Sequence, residues 1–416
     1  MKNIKYDLVL FGATGFTGRL VAEYLTKEYG VSNKKFVWAI AGREKKKLDN
    51  LKIYLSKFDS NAKILPSLIA DSLDRRSLDN ISSVSRLIIS TVGPYLKYGK
   101  LLVESCVVNG TDYCDLTGEV PFIKESIDNF NEIAQGNRSR IIHSCGFDSI
   151  PSDIGVQYLQ KAALERFGIP LEEIRLYVRA MRGGVSGGTI YSMINIYQYI
   201  KDKPKLQKSL KDPYSLSPKR TNNDLKKDLS SIRTVKWDPT TQRWICPFAM
   251  AGINTKIVRA SNGIMNYCYG KGFIYSESVS FKKWTIGYLK ACSMTLYLGV
   301  IRLSLSFKPL LAILKIFMPS PGQGPSRVKR KNGFFKMHLL GISNKKERLN
   351  LFINGNSDPG YSGTAAMITE SALSLILEEE KIPKNFGVLT PASGIGGVII
   401  KRLKDKGITF DLKKNK

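Results

Sequence analysis

Histidine is almost missing from this chain: 416 residues hold only His143 and His338. The six cysteines, Cys106, Cys114, Cys145, Cys246, Cys268 and Cys292, make no CxxC pair and keep no metal-ligand spacing. Both shortages argue against a metal site, and free thiols suit a reducing compartment. HExxH, a P-loop lysine motif and a Ser-His-Asp arrangement are also missing, which removes the common hydrolase and phosphate-transfer classes. No apolar run is long enough to cross a bilayer. In the most apolar region the longest uncharged run, Ala291 to Ile301, is eleven residues, against about 20 for a membrane-spanning helix. Acidic residues are scarce, with 35 Asp+Glu against 64 Lys+Arg and a formal net charge of +29. Such a field favours anionic lipid, nucleic acid or acidic substrates. No nucleic-acid recognition motif accompanies it, so no nucleic acid is expected. MKNIKYD leads directly into a strand pattern without a secretory signal, so an intracellular protein is expected.

What is present begins at residue 6. YDLVLFGATGFTGRLVAEYL reads as a buried strand, a glycine turn and a helix with Leu20, Val21, Tyr24 and Leu25 at helical spacing. Gly12 permits the tight turn, Gly15 permits close approach of backbone to a phosphate, and Gly18 lets helix and strand pack. The helix start offers the N–H groups of Phe16 and Thr17 to a pyrophosphate. The spacing is GxxGxxG rather than GxGxxG, and by itself it leaves a purely structural glycine corner open. The next strand, Phe36 to Ala41, ends at Gly42-Arg43 where an NAD site usually carries an acidic residue. Arg43 therefore predicts a fork onto a 2′-phosphate, hence NADP(H), with Lys45, Lys46 and Lys47 mostly solvated.

Further strands end at Asp71, at Thr91-Val92-Gly93-Pro94, at Asp115 and at His143, with helical stretches between them. Alternating strands and helices predict an α/β protein with a Rossmann-type, doubly wound parallel sheet. Ligands of such sheets sit outside the carboxyl ends of the strands. Tyr95, Asp115, Asp148 and Tyr191 are then candidate proton donors. For Asp148 a capping role on the helix begun by Pro151 is the favoured reading, and for Tyr191 a place in the core. Cys114, Cys145 and His143 read as buried and inert.

GATGFTGRLVAEYL, AGR, TVGPYLKYGKLLVESCVVNGTDYCDLTGE and CGFDSIPSDIG together resemble the saccharopine dehydrogenase-like oxidoreductases. The similarity is greatest to the branch with the metazoan saccharopine dehydrogenase-like protein and the mycobacterial trans-acting enoyl reductases. SGGTIYSM, PGQGPS, NSDPGYSGTAAMITESALSL and GVLTPASGIGG extend it over nearly the whole chain. The resemblance implies an NADP-binding domain, 1–160, and a second α/β domain with a mixed sheet, 161–356. It also implies C-terminal helices, 357–416, packing back toward the first domain. Cofactor contacts are expected from Gly12, Thr14, Gly15, Phe16, Thr17, Gly18, Arg43, Asp71, Thr91, Gly93 and Pro94.

Two segments stand apart. The basic stretch 201–236 holds eleven Lys/Arg and four Asp, broken by Pro204, Pro213 and Pro218. It reads as solvated surface or as a contact for anionic lipid. The apolar segment 281–318, interrupted by Lys290, Arg302, Lys308 and Lys315, reads either as a buried helical pair or as an interfacial hairpin. A lipid-like substrate and an association with membrane or lipid droplet are the sharper expectation, with a cytoplasmic protein otherwise. A saccharopine-type amino-acid reductase, using Arg179 and Arg182 for carboxylates, is the alternative, as is a non-catalytic nucleotide-binding scaffold. A homodimer is left open.

Overall fold

The computed structural model describes residues 3–183, 187–218, 232–307, 309–311 and 323–414. The middle of the basic stretch and most of the apolar segment beyond Leu311 lie outside the described residues.

Strands β1 (Tyr6–Phe11), β2 (Trp38–Gly42), β3 (Ser67–Ile69), β4 (Ser85–Ser90), β5 (Asp112–Asp115) and β6 (Arg140–Ile142) are all parallel, in the spatial order β3-β2-β1-β4-β5-β6. β1 explains its own sequence. Leu8 and Leu10 enter one core with the helices Phe16–Tyr29 and Lys45–Leu55, while Val9 and Phe11 enter the other with the helices Arg75–Ser83 and Lys100–Val108. Both faces are buried, so Leu8 to Phe11 are apolar without alternation.

The helix Ile150–Phe167 carries the chain to a second sheet. It contains β7 (Leu171–Arg182), β8 (Lys236–Asp238), β9 (Arg243–Cys246), β10 (Ile274–Phe281), β11 (Phe334–Ser343) and β12 (Arg348–Gly355). β7 and β10 are parallel and the other neighbours antiparallel, a mixed sheet. Ile174, Leu176, Phe335, Leu339, Leu351 and Ile353 share one core with Ile154, Leu159 and Ala163 of that helix, and the same core continues into the first domain. Gly155 lets helix and sheet approach this closely, because a Cβ there would stand 2.8 Å from Ile353 Cδ1.

The C-terminal segment joins both sheets. β13 (Gly387–Leu389) pairs with β6 as a seventh parallel strand, and β14 (Ile408–Lys414) pairs with β12 as the seventh strand of the mixed sheet. Thr390 caps the turn that follows β13 through a reciprocal pair with Ser393, as the Thr-Pro start predicts. The helix Thr364–Leu377 lies against Phe16–Tyr29. There the fully buried Glu370 accepts hydrogen bonds from Tyr24 and Tyr29, each 2.7 Å, and from Arg402 Nε at 2.8 Å.

Of the apolar segment, the structure describes the first helix. The helix Thr285–Ser306 rests on β9 and β10, with Tyr288 against Trp244 at 4.8 Å, and buries only Gly287, Ala291 and Ser304. Ile286, Leu289, Leu296, Val300, Leu303 and Phe307 are exposed along one stripe. No helix of the described residues is long and apolar enough to cross a membrane.

Removing Glu370 tests the seam between the C-terminal helix and the first domain. Glu370→Ala leaves Arg402 and two half-buried tyrosine hydroxyls without this acceptor and should cost about 3–5 kcal/mol in urea unfolding. Glu370→Gln, which keeps acceptor and shape, should cost less. A loss under about 1 kcal/mol for the alanine variant would show that the seam does not depend on this carboxylate.

Candidate nucleotide site and catalytic cleft

The glycine turn begins where β1 ends. Gly12 has φ +82°, a left-handed conformation, and its N–H bonds Ala41 O at 3.0 Å on β2. Gly15 N–H then bonds back to Gly12 O at 3.0 Å. A Cβ on Gly18 would lie 2.1 Å from Gly12 O, so the helix can seat on the turn only with glycine there. Gly15 caps the helix Phe16–Tyr29 without any side-chain acceptor, and the first turn has no acidic residue. Its leading N–H groups therefore face outward without a capping side chain, beside an exposed glycine, which is what an anionic pyrophosphate requires. The hydroxyl of Thr91, just past β4, lies 3.1 Å from Phe11 O and 3.2 Å from Gly12 O and fixes the turn from the neighbouring strand. The ring of Phe16 packs edge-on against Tyr361, 5.2 Å between centroids.

Thr14 Oγ1 stands 3.7 Å from the Cβ position of Gly42, so the end of β2 adjoins the turn. Arg43 leaves this point exposed, and among the described residues it has no hydrogen bond or ion pair. The nearest acidic residue in sequence, Glu44, is held by Lys47 at 2.6 Å. Asp71 lies just past β3. Its carboxylate accepts the Leu73 N–H at 2.9 Å and its own N–H bonds Ser77 Oγ at 3.0 Å, so it builds the turn after β3.

Past Gly93 and the cis Gly93–Pro94 bond, the candidate donors separate. Tyr95 is buried, its hydroxyl donating to Ser90 O at 3.1 Å and accepting from Leu116 N at 3.3 Å, and burial raises its pKa well above the usual value. It is committed to the core and does not face the cleft. Asp115 is likewise enclosed, accepting from Tyr113 OH, Thr117 N and Ser144 N, with His143 Nδ1 at 2.7 Å. His143 is buried, as expected, and so are Cys114 and Cys145. Burial pushes the Cys114 thiol well above its ordinary pKa, which keeps it inert.

Tyr191 is not core. It is 37% exposed on the helix Gly187–Lys201, which reaches over the end of β4. The contact is made by a residue that sequence patterns did not flag. Glu119, fully buried at the start of the helix Val120–Gly136, accepts from Tyr95 N and Leu96 N at 2.9 Å each and from Ser192 Oγ at 2.8 Å. Burial raises its pKa, while these donors oppose the shift. The side chain of Thr189 lies outside the described residues. Arg179 and Arg182 are exposed near the end of β7, and Arg179 alternates with the core residue Val178.

Asp148 also departs from its favoured reading. Ser149, not Asp148, occupies the cap of the helix Ile150–Phe167, and no side chain bonds that helix start. Asp148 lies half-buried beyond β6, its Oδ2 3.7 Å from the Cβ position of Gly118 beyond β5, with Met250 Cε 4.0 Å from the same point. It has no hydrogen bond or ion pair among the described residues, and burial raises its pKa to about 6. No group of His, Cys, Asp and Glu among the described residues could hold a metal.

No protein-family model matches the chain. A protein of Mycobacterium tuberculosis provisionally named a trans-acting enoyl reductase is 35% identical over 418 residues, covering 98% of this chain and 97% of the relative. The trans-acting enoyl reductase of Mycobacterium leprae is 31% identical over 425 residues, with the same coverage. Among solved structures, apo saccharopine dehydrogenase from Saccharomyces cerevisiae superposes with a TM-score of 0.52 at 16% identity, covering 99% of this chain and all of its own. Homospermidine synthase from Legionella pneumophila, solved with NAD, also gives 0.52, at 11% identity, covering 100% of this chain and 93% of its own. The structural likenesses establish the fold, and the sequence relatives, alike over their whole length, establish the family. The chain belongs to the family of the trans-acting enoyl reductases, built on the fold seen in saccharopine dehydrogenase.

Proposed function

We propose that this protein is an NADPH-dependent reductase of an apolar, unsaturated substrate that it meets at an anionic lipid surface. The observation that carries the cofactor reading is the Gly12-Gly15-Gly18 turn: an uncapped helix start, open at Gly15, with the unpaired Arg43 beside it. These residues fit a dinucleotide. The backbone N–H groups of Phe16 and Thr17 would hold the pyrophosphate, and Arg43 would take the 2′-phosphate. When bound, the nicotinamide supplies hydride. The chain supplies orientation and a proton. Gly93 and Pro94 form the wall below the reacting centre, and the Glu119–Ser192 bond fixes the helix Gly187–Lys201 above it. Tyr191 stands exposed on that helix as a substrate contact. The enoyl reduction named for the relatives sets the reaction class proposed here.

The lipid-surface part rests on a separate observation. Trp284 is 66% and Leu296 70% exposed, and the stripe from Ile286 to Phe307 is apolar with only Lys290 and Arg302 charged within the helix. Burying each such side chain is worth about 1.5–3 kcal/mol, and the net +29 charge adds attraction to anionic headgroups.

Nucleotide titration followed by nicotinamide fluorescence checks the cofactor. Wild type should bind NADPH more tightly than NADH. Arg43→Ala should weaken NADPH about ten- to a hundredfold, the worth of a charged hydrogen bond, and leave NADH unchanged. Equal affinities in wild type would count against the 2′-phosphate role.

Vesicle co-sedimentation checks the surface. The chain should pellet with phosphatidylserine-containing vesicles and less with pure phosphatidylcholine, the difference shrinking at high salt. Leu296→Asp with Val300→Asp should abolish pelleting while leaving the melting temperature unchanged, since both residues are exposed. Pelleting at the wild-type level would refute lipid docking by this helix.

A further inference from the structure

The loop after β6 holds one carboxylate in an unusual position. Its neighbours on both sides are pinned. Phe147 N–H donates to Thr364 Oγ1 at 3.1 Å, and its ring meets Phe335 edge-on at 4.9 Å. Ser149 Oγ donates to Asn254 Oδ1 at 3.2 Å, and Asn254 Nδ2 is bound to Glu277 at 3.0 Å. Those anchors come from the C-terminal helix, the mixed sheet and the helix Ala251–Ile264. Asp148, between two fixed residues, is thereby held rigidly, yet its own carboxyl bonds nothing among the described residues. The acidic groups of the surrounding elements are spoken for. Glu119 is bound to Tyr95, Leu96 and Ser192, Asp153 to Ser261 and Ala392, Glu277 to Asn254 and Tyr275, and Asp358 to Tyr361. Among the described residues neither His143, bonded to Asp115, nor any cation pairs with Asp148.

Even half-buried, a carboxyl without a partner carries a desolvation cost. A structural carboxylate in this protein looks different, with two or three donors around it. Asp148 has none, and it lies at the carboxyl ends of β5 and β6, on the ligand side of the parallel sheet, with Met250 of the second domain beside Gly118.

We propose that Asp148 is the proton donor of the reduction. The assignment rests on the reductase reading above. NADPH is the reductant. As hydride adds to the β-carbon of an enoyl thioester, the double-bond electron pair moves to the α-carbon, which takes the proton from the Asp148 carboxyl. Water then returns a proton to the carboxylate, so one NADPH and one proton are consumed per double bond. A folded-state pKa of about 6 keeps a usable protonated fraction near neutrality.

The sign of the linkage separates this role from a structural one. A carboxyl whose pKa is raised by folding contributes stability that is present below its unfolded pKa, near 3.9. That stability is lost as pH rises through about 6. Asp148→Asn should therefore raise the melting temperature at pH 7.5 and leave it nearly unchanged at pH 3.5. With full-length protein, NADPH and trans-2-dodecenoyl-CoA as probe, the same variant should lose about a hundredfold or more in kcat. Its NADPH Kd should stay within about twofold, and it should lack the wild-type decline of kcat as pH rises past about 6. Asp148→Glu should recover part of the rate.

A variant less stable than wild type at pH 7.5 would show a structural role and overturn the assignment. So would a variant that keeps the wild-type rate and pH profile. A wild type that binds NADPH but is inert toward the probe would overturn the reductase reading, and the donor role with it. The two failures are therefore told apart by the wild type alone.

Discussion

A single close approach governs this molecule: the Gly18 position stands so near the Gly12 carbonyl that any Cβ would be 2.1 Å from its oxygen. That contact seats the first helix directly on the end of β1. The direction of its uncapped N–H groups follows, and so does the room left above Gly15. Thr91 repeats the constraint from β4, and Gly12 itself has no space for a side chain against Val92 Cγ2, 2.6 Å from its Cβ position. The turn is thus determined from three sides before any ligand is present. Preorganisation of this kind removes most of the ordering cost from binding a dinucleotide.

The mixed sheet is joined to the parallel sheet through two helices. Ile150–Phe167 contributes to a core that is continuous with the mixed sheet, and Thr364–Leu377 is buried along nearly its whole length. Glu370 ties the latter to the first helix, and Thr364 ties it to the loop after β6. Both the nucleotide turn and the cleft loop are therefore braced by one C-terminal element. It explains why that segment must end with one strand in each sheet.

The glycine turn and the Gly42-Arg43 ending of β2 were legible in the sequence because each depends on a local rule of chain geometry. So was the doubly wound pattern, since apolar β1 needs both faces covered. Other features were not legible, because they depend on partners far away in the chain. Asp71 shows a polar strand end like a ligand contact, but Ser77 and Leu73 claim it. Tyr95 shows the right residue type at a strand end, and Ser90 O turns it inward. Glu119 gave no pattern at all, since its partner Ser192 is 73 residues on. The helix Thr285–Ser306 has the composition of a core helix. Only the edge position of β8 and β9 shows that one side of it is left uncovered.

Polar satisfaction discriminates between an enzyme and a scaffold that has merely kept the fold. Buried carboxylates away from the cleft, such as Asp153, Glu277 and Glu370, are each supplied with donors. Three polar groups near the candidate site go without such a partner among the described residues. The uncapped helix start, the unpaired Arg43 and the unpartnered Asp148 all lie at the carboxyl ends of the parallel strands. The uncapped helix start and the half-buried Asp148 each cost local stability, which a binding or catalytic use would offset. A scaffold relieved of catalysis would be expected to keep the glycines, which packing demands. It would have no reason to keep a pinned loop that presents a bare carboxyl to the same cleft.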